Sequence, residues 1–176
     1  MSDDVHGDQP TSTGQQPVGD LTHVRPDGSA HMVDVTGKAE SSREAAAQAV
    51  LTTRPDVVAR LVDGTLPKGE ALGTARIAGI MAAKQTPALI PLCHPLPLGA
   101  ITVDFETDTG AEEASVTVVA RVRTRGVTGV EMEALTAATV AALTLFDMIK
   151  AVDHLAVIGD VKVLEKSGGT SGAWAR

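Results

Sequence analysis

The sequence predicts one α+β domain, helices packed on an antiparallel sheet, and three observations carry that prediction. The chain has 176 residues, which suits a single domain with a real core. Ile101, Val103 and Phe105 alternate with polar residues. Val116, Val118, Ala120 and Val122 alternate again after a turn at Asp108-Thr109-Gly110. Period-two alternation on both sides of a turn reads as an antiparallel hairpin with one buried face. From Glu133 to Val152 the period changes to that of a helix, with Leu135, Thr139, Ala142, Phe146 and Ile149 along one face.

The remaining elements follow in chain order. Residues 1–20 are polar, with Pro10, Pro17 and three glycines, and read as a disordered tail. Folded sequence is expected from about Leu21 to Arg176. Pro26-Asp27-Gly28 signals a turn, and His31-Met32-Val33-Asp34-Val35 reads as a strand or an extended segment. Ser41-x-x-Glu44 has the form of a capping box, and the alanine-rich run behind it predicts a first helix. Pro55 opens a second helix and Gly64 ends it. A third is expected over Gly69 to Lys84, where Ala71, Thr74, Ala75, Ala78 and Ala82 make a small-residue face for close packing. Pro87, Pro91, Pro95 and Pro97 forbid a long helix in Thr86 to Leu98. Val157 to Leu164 reads as a last strand, bulged near Gly159, and Lys166 to Gly172 as a mobile loop rich in Gly and Ser. The expected order is helices, two strands, a helix and a strand.

Composition excludes several functions. Aromatic residues are 2% of the chain: Phe105, Phe146 and Trp174, against 26 alanines. Three aromatics make no stacking platform for single-stranded nucleic acid and few anchors for an aromatic interface. The net charge is −7, of which the tail's Asp3, Asp4, Asp8 and Asp20 supply more than half. That sign argues against duplex DNA as a partner while leaving room for a local basic pocket. One cysteine, Cys93, builds no intramolecular disulfide and fits a reduced, cytoplasmic setting. No secretory signal and no apolar run of ~18 residues is visible, so no membrane span is expected.

Five segments carry reactive groups. Lys68-Gly69 precedes the third helix; a lone lysine is ordinarily solvated surface. Leu92, Cys93 and His94 sit in the proline-stiffened loop. Adjacent Cys and His side chains point apart in an extended segment, which weakens a nucleophile pair. Neither a second Cys nor a His at ligand spacing supports a zinc site. His94 remains open as a hydrogen-bonding or acid–base residue. Glu131, Met132 and Glu133 stand at the start of the long helix, where acids are favoured by the dipole in any case. Asp147 and Lys150, at i and i+3, are either a surface ion pair or a carboxylate and ammonium set for proton transfer. Lys166-Ser167 opens the Gly/Ser loop, which is a mobile linker or a set of amides and hydroxyls for phosphate. From Glu133 to Asp147 is fourteen residues, ~21 Å along a straight helix. Both acids serve one small-molecule site only if a second copy of the chain completes it.

Taken together, six segments resemble the MoaC family in order and spacing. They are His31 to Val35, Lys68-Gly69, Thr74 to Ile80, Ile90-Pro91-Leu92-Cys93-His94-Pro95, Gly129 to Ala137, and Lys166-Ser167-Gly168-Gly169. The resemblance covers about Leu21 to Gly172. It implies a ferredoxin-like α+β fold and a homohexamer of three dimers with sites at the dimer interface. The implied activity is a lyase reaction of molybdenum cofactor biosynthesis. In it, 3′,8-cyclo-7,8-dihydro-GTP, supplied by a radical SAM enzyme, becomes cyclic pyranopterin monophosphate with release of pyrophosphate. No metal or redox cofactor is implied. By the resemblance, Asp147 is the principal catalytic acid and Lys68 and Lys150 its companion lysines. Leu92, Cys93 and His94 form part of the substrate pocket, and Glu131, Met132 and Glu133 its second wall. Lys166 and Ser167 belong to a loop that closes near the phosphates. A non-catalytic scaffold handing on the radical SAM product, or a nucleotide-binding regulator using the Gly/Ser loop alone, leaves Lys68, Asp147 and Lys150 without a purpose.

Overall fold

The structure, a computed structural model, describes residues 23–110, 112–169 and 172–176. The expected tail, residues 1–20, lies outside the described residues, as do Thr170 and Ser171 of the expected loop. The chain divides into two compact units, one ending at Val33 and the other running from Asp34 to Arg176. In the first, Val24 bridges Ala30 across the predicted turn. The Asp27 carboxylate accepts from the Ser29 amide (2.9 Å) and hydroxyl (2.6 Å), an Asx-type closure. Residues 31–35 carry no regular secondary structure and join no strand.

The second unit is built from β1 (Ser41–Thr53), α1 (Pro55–Val62), α2 (Ala71–Lys84), α3 (Thr86–Leu89), β2 (Leu98–Thr109), β3 (Ala114–Gly126), α4 (Glu131–Ile149), β4 (Val157–Ser167) and β5 (Trp174–Ala175). The strands form one antiparallel sheet in the order β2-β3-β1-β4-β5. The first four give the β-α-β-β-α-β arrangement of a ferredoxin-like fold, and β5 is added at one edge.

The largest correction to the sequence reading is β1. The Ser41 to Thr53 stretch is a strand, not the capped helix that its alanines predict. Helix propensity differs by under ~1 kcal/mol per residue for ordinary side chains, and tertiary context overrides it. Here the context is central placement: β1 pairs with β3 along its whole length and with β4 on the other side. Ala45, Ala47, Ala49 and Leu51 alternate onto the face that α4 covers and are fully buried. Alanine is required there because α4 itself presents Ala134, Ala137, Ala138, Ala141 and Ala142, all fully buried.

The predicted α1, α2, hairpin and long helix are present. The buried face of α4 is rotated from the expected one: Thr139 is exposed, Leu135 and Phe146 are half-buried, and Ala134, Ala138, Leu145 and Met148 are buried instead. On α2, Ala71, Ala75 and Ala82 are buried as expected, while Thr74 is exposed. Gly79 lets α2 pack close against α4. A Cβ there would fall 2.8 Å from the Ala137 carbonyl oxygen and 3.1 Å from the Ala141 Cβ. The bulge expected near Gly159 is real. Gln48 pairs with Lys162 and Val50 with Gly159, so β4 uses an extra residue, and Asp160 takes a left-handed φ of 46°. α4 also meets the length and mean hydropathy (1.5) of a membrane-crossing helix, which the sequence reading did not anticipate; 56% of it is buried within the fold.

Candidate active site

Lys68 reaches its place through two local devices. Leu66 is buried in the core and anchors the segment, and the Gly69 amide donates to the Leu66 carbonyl at 3.0 Å. Gly69 adopts φ +84°, a conformation open mainly to glycine. The turn projects the Lys68 ammonium onto the end of α4, where it donates to Asp147 Oδ2 at 2.6 Å and to the Asp147 carbonyl at 2.9 Å. Lys150 Nζ lies 2.7 Å from the other carboxylate oxygen. The hydrogen bonds from Lys150, then from Lys68, hold the Asp147 carboxyl down to about 2. One carboxylate thus organises two ammonium groups, and the trio keeps a net positive charge suited to an anionic ligand.

A second group forms at the opposite end of α4. Glu131 opens the helix and pairs with Lys166 Nζ at 3.0 Å. Lys166 and Ser167 are not in a mobile loop, as the sequence suggested, but are the last residues of β4. Pairing with Ala45 puts Lys166 on the helix-covered face of the sheet, which brings it to Glu131. Glu133 is only 3% exposed. Burial, with the neighbouring Glu131 charge adding to it, pushes its carboxyl above the usual range. Cys93 follows a turn closed by its amide and the Ile90 carbonyl (3.1 Å). Burial and then the Glu133 charge push its thiol up, which puts Cys93 within electrostatic reach of Glu133. His94 is half-buried beside it, and Leu92 and Met132 are exposed.

An adjoining cavity of about 670 Å³ is lined by Lys38, Glu40, Ser41, Arg43, Thr128 and Gly129, among others. Arg43 donates from Nε to the Gly126 carbonyl at 2.9 Å. Its guanidinium lies against Gly169, where a Cβ would fall 2.2 Å from Nη1. The sequence marks neither Lys38 nor Arg43: Lys38 stands in no local pattern, and the capping-box form of Ser41-x-x-Glu44 puts Arg43 in a helix. The alternation of Ser41, Arg43 and Ala45 along a strand is the signal that would have placed it.

Within one chain, then, Lys68, Asp147 and Lys150 come together at one end of α4, and Glu131, Glu133, Cys93 and Lys166 at the other. The helix between them is continuous, so the ~21 Å separation of Glu133 and Asp147 stands. Among the described residues, no three His, Cys, Asp or Glu side chains are grouped to hold a metal ion.

The fold and these two clusters define a ferredoxin-like α+β protein with ionisable side chains gathered at both ends of one helix. The chain belongs to the MoaC family, whose family model matches residues 32–169. It is 65% identical over 156 residues to a cyclic pyranopterin monophosphate synthase of Corynebacterium efficiens, covering 89% of this chain and 98% of that one. Proteins of that name from Pelotomaculum thermopropionicum (55% identity, 89% and 91% coverage) and, as synthase 2, from Mycobacterium tuberculosis (54%, 90% and 92%) are similar over nearly the same span.

Proposed function

We propose that this chain is a cyclic pyranopterin monophosphate synthase, a lyase of molybdenum cofactor biosynthesis. Its substrate is 3′,8-cyclo-7,8-dihydro-GTP and pyrophosphate is released. The carrying observation is the Lys68–Asp147–Lys150 trio, since an ionised carboxylate fixed between two ammonium groups holds both lysines in place as proton donors and as partners of an anionic ligand. At the other end of α4, Glu131 or Glu133 accepts from the amino and N–H edge of the guanine-derived ring. Cys93, His94, Leu92 and Met132 shape the ring pocket, and Lys166 with Ser167 meets the phosphates.

The two ends serve one reaction when a second copy supplies the missing half. An exposed stripe of α4 carries Met132, Leu143 and Asp147, and the neighbouring helix α2 exposes Ile77 and Met81. A two-fold partner seated antiparallel on this face brings its Glu131 and Glu133 toward Asp147, and three such dimers make the hexamer. The reading carries with it a radical SAM enzyme as supplier and a cytoplasmic setting. The test is to purify Lys68→Ala and Asp147→Asn and measure pyrophosphate release from the cyclic intermediate. A loss of at least ~100-fold is expected in each, the lower range for general acid–base groups. Near-normal turnover in both removes the assignment.

A further inference from the structure

β5 is two residues long, yet it covers a particular part of the sheet edge. Trp174 pairs with Lys166 and Ala175 with Glu165. Arg176 continues the cover: its amide donates to the Leu164 carbonyl at 2.9 Å and its Nε to the Val163 carbonyl at 2.8 Å. The same guanidinium lies over the Trp174 ring, 5.7 Å from its centroid. Three residues therefore hold the outer edge of four consecutive β4 residues, the last of which is Lys166. Among the described residues, the rest of that edge has no strand beside it. There the left-handed bulge at Asp160, bonded to Lys162 Nζ at 2.9 Å, blunts the edge instead.

The placement matters because the long Lys166 side chain is tied at its tip. Its ammonium meets Glu131 at 3.0 Å, with 21% and 27% of the two side chains exposed. Ordering a lysine opposes this by up to ~2 kcal/mol of rotamer entropy, so the backbone beneath it must not add freedom of its own. We propose that Trp174 and Arg176 are positioning residues for Lys166. They lock the β4 main chain from its outer edge, while β1 holds it from the inner one, and so fix the ammonium where it meets the anionic part of the substrate. The inference rests on the reading of Lys166 as a substrate-binding residue.

A double-mutant cycle on kcat/KM for pyrophosphate release tests it. Arg176→Ala lowers kcat/KM about fivefold, mainly through KM, the equivalent of one net hydrogen bond. In a Lys166→Ala background the same change moves kcat/KM by less than about twofold, because its effect passes through Lys166. Trp174→Ala behaves as Arg176→Ala does, and Trp174→Phe, which keeps a ring beneath the guanidinium, retains wild-type kinetics. Trp174 is the only tryptophan. Its emission therefore shifts when pyrophosphate binds the wild-type protein and stays constant in Lys166→Ala. An equal loss from Arg176→Ala in both backgrounds means that β5 serves the fold alone and overturns the proposal. Wild-type kinetics in both Arg176→Ala and Trp174→Ala overturn it as well. If Lys166→Ala itself keeps full kcat/KM, the reading of Lys166 fails first and the proposal falls with it.

Discussion

Asp147 and Glu133 share one helix and are pushed in opposite directions. Asp147 is held down to about 2 by the two lysine hydrogen bonds, and Glu133 is raised by burial. Such divergence is how two carboxyls take different parts in one reaction. Asp147 stays ionised at any ordinary assay pH, so Asp147→Asn lowers kcat/KM at every pH without moving the acid limb of the profile. Glu133 is the carboxyl that burial raises, so Glu133→Gln is the variant expected to displace or flatten that limb. A pH–rate series on both variants checks the assignment. The linkage sign follows from the depressed value: the pairing of Asp147 favours the fold above about pH 4 and is lost as pH falls toward 2. The i, i+3 spacing of Asp147 and Lys150 was legible in the sequence, as was the acidic start of the helix. The arrival of Lys68 at Asp147 was not, because it depends on the Leu66 anchor and on how α2 packs against α4. The resemblance named Lys68, but no local pattern shows its partner.

At the scale of elements, Gly79 shows how tightly the two long helices are set. Gly79→Ala should destabilise the protein by ~1–3 kcal/mol, since the added methyl meets a backbone oxygen that does not yield cheaply. Denaturant unfolding reads this directly. Leu66→Ala should cost ~2–5 kcal/mol as a buried leucine and also lower kcat, because Lys68 loses the anchor two residues before it. A loss of stability with unchanged kcat would detach Lys68 from that anchor. The hairpin, α2 and α4 were legible because their periods of two and of three to four run uninterrupted. β1 was misread because four closely spaced alanines satisfy either period, and their small size answers to α4, a partner some ninety residues away. Lys166 was misread for a related reason: glycines just beyond it suggested a loop, while pairing with Ala45 and Trp174 makes its own position a strand.

For the whole molecule, the scarcity of aromatics leaves no aromatic stack for a pterin-like ring beyond three residues, so the proposed pocket relies mainly on charged and polar groups. The charge of −7 does not oppose an anionic substrate, because the acids of residues 1–20 account for more than half of it and the ammonium groups gather at the ends of α4. What no single chain supplies is a path between those ends. The most direct measurement mixes two inactive variants, Asp147→Asn and Glu133→Gln, after dissociation and reassembly, and follows pyrophosphate release. If the site is completed across two copies, random pairing restores one intact site in each mixed dimer, about a quarter of wild-type sites. Activity no higher than the mean of the two separate variants would contradict a shared site.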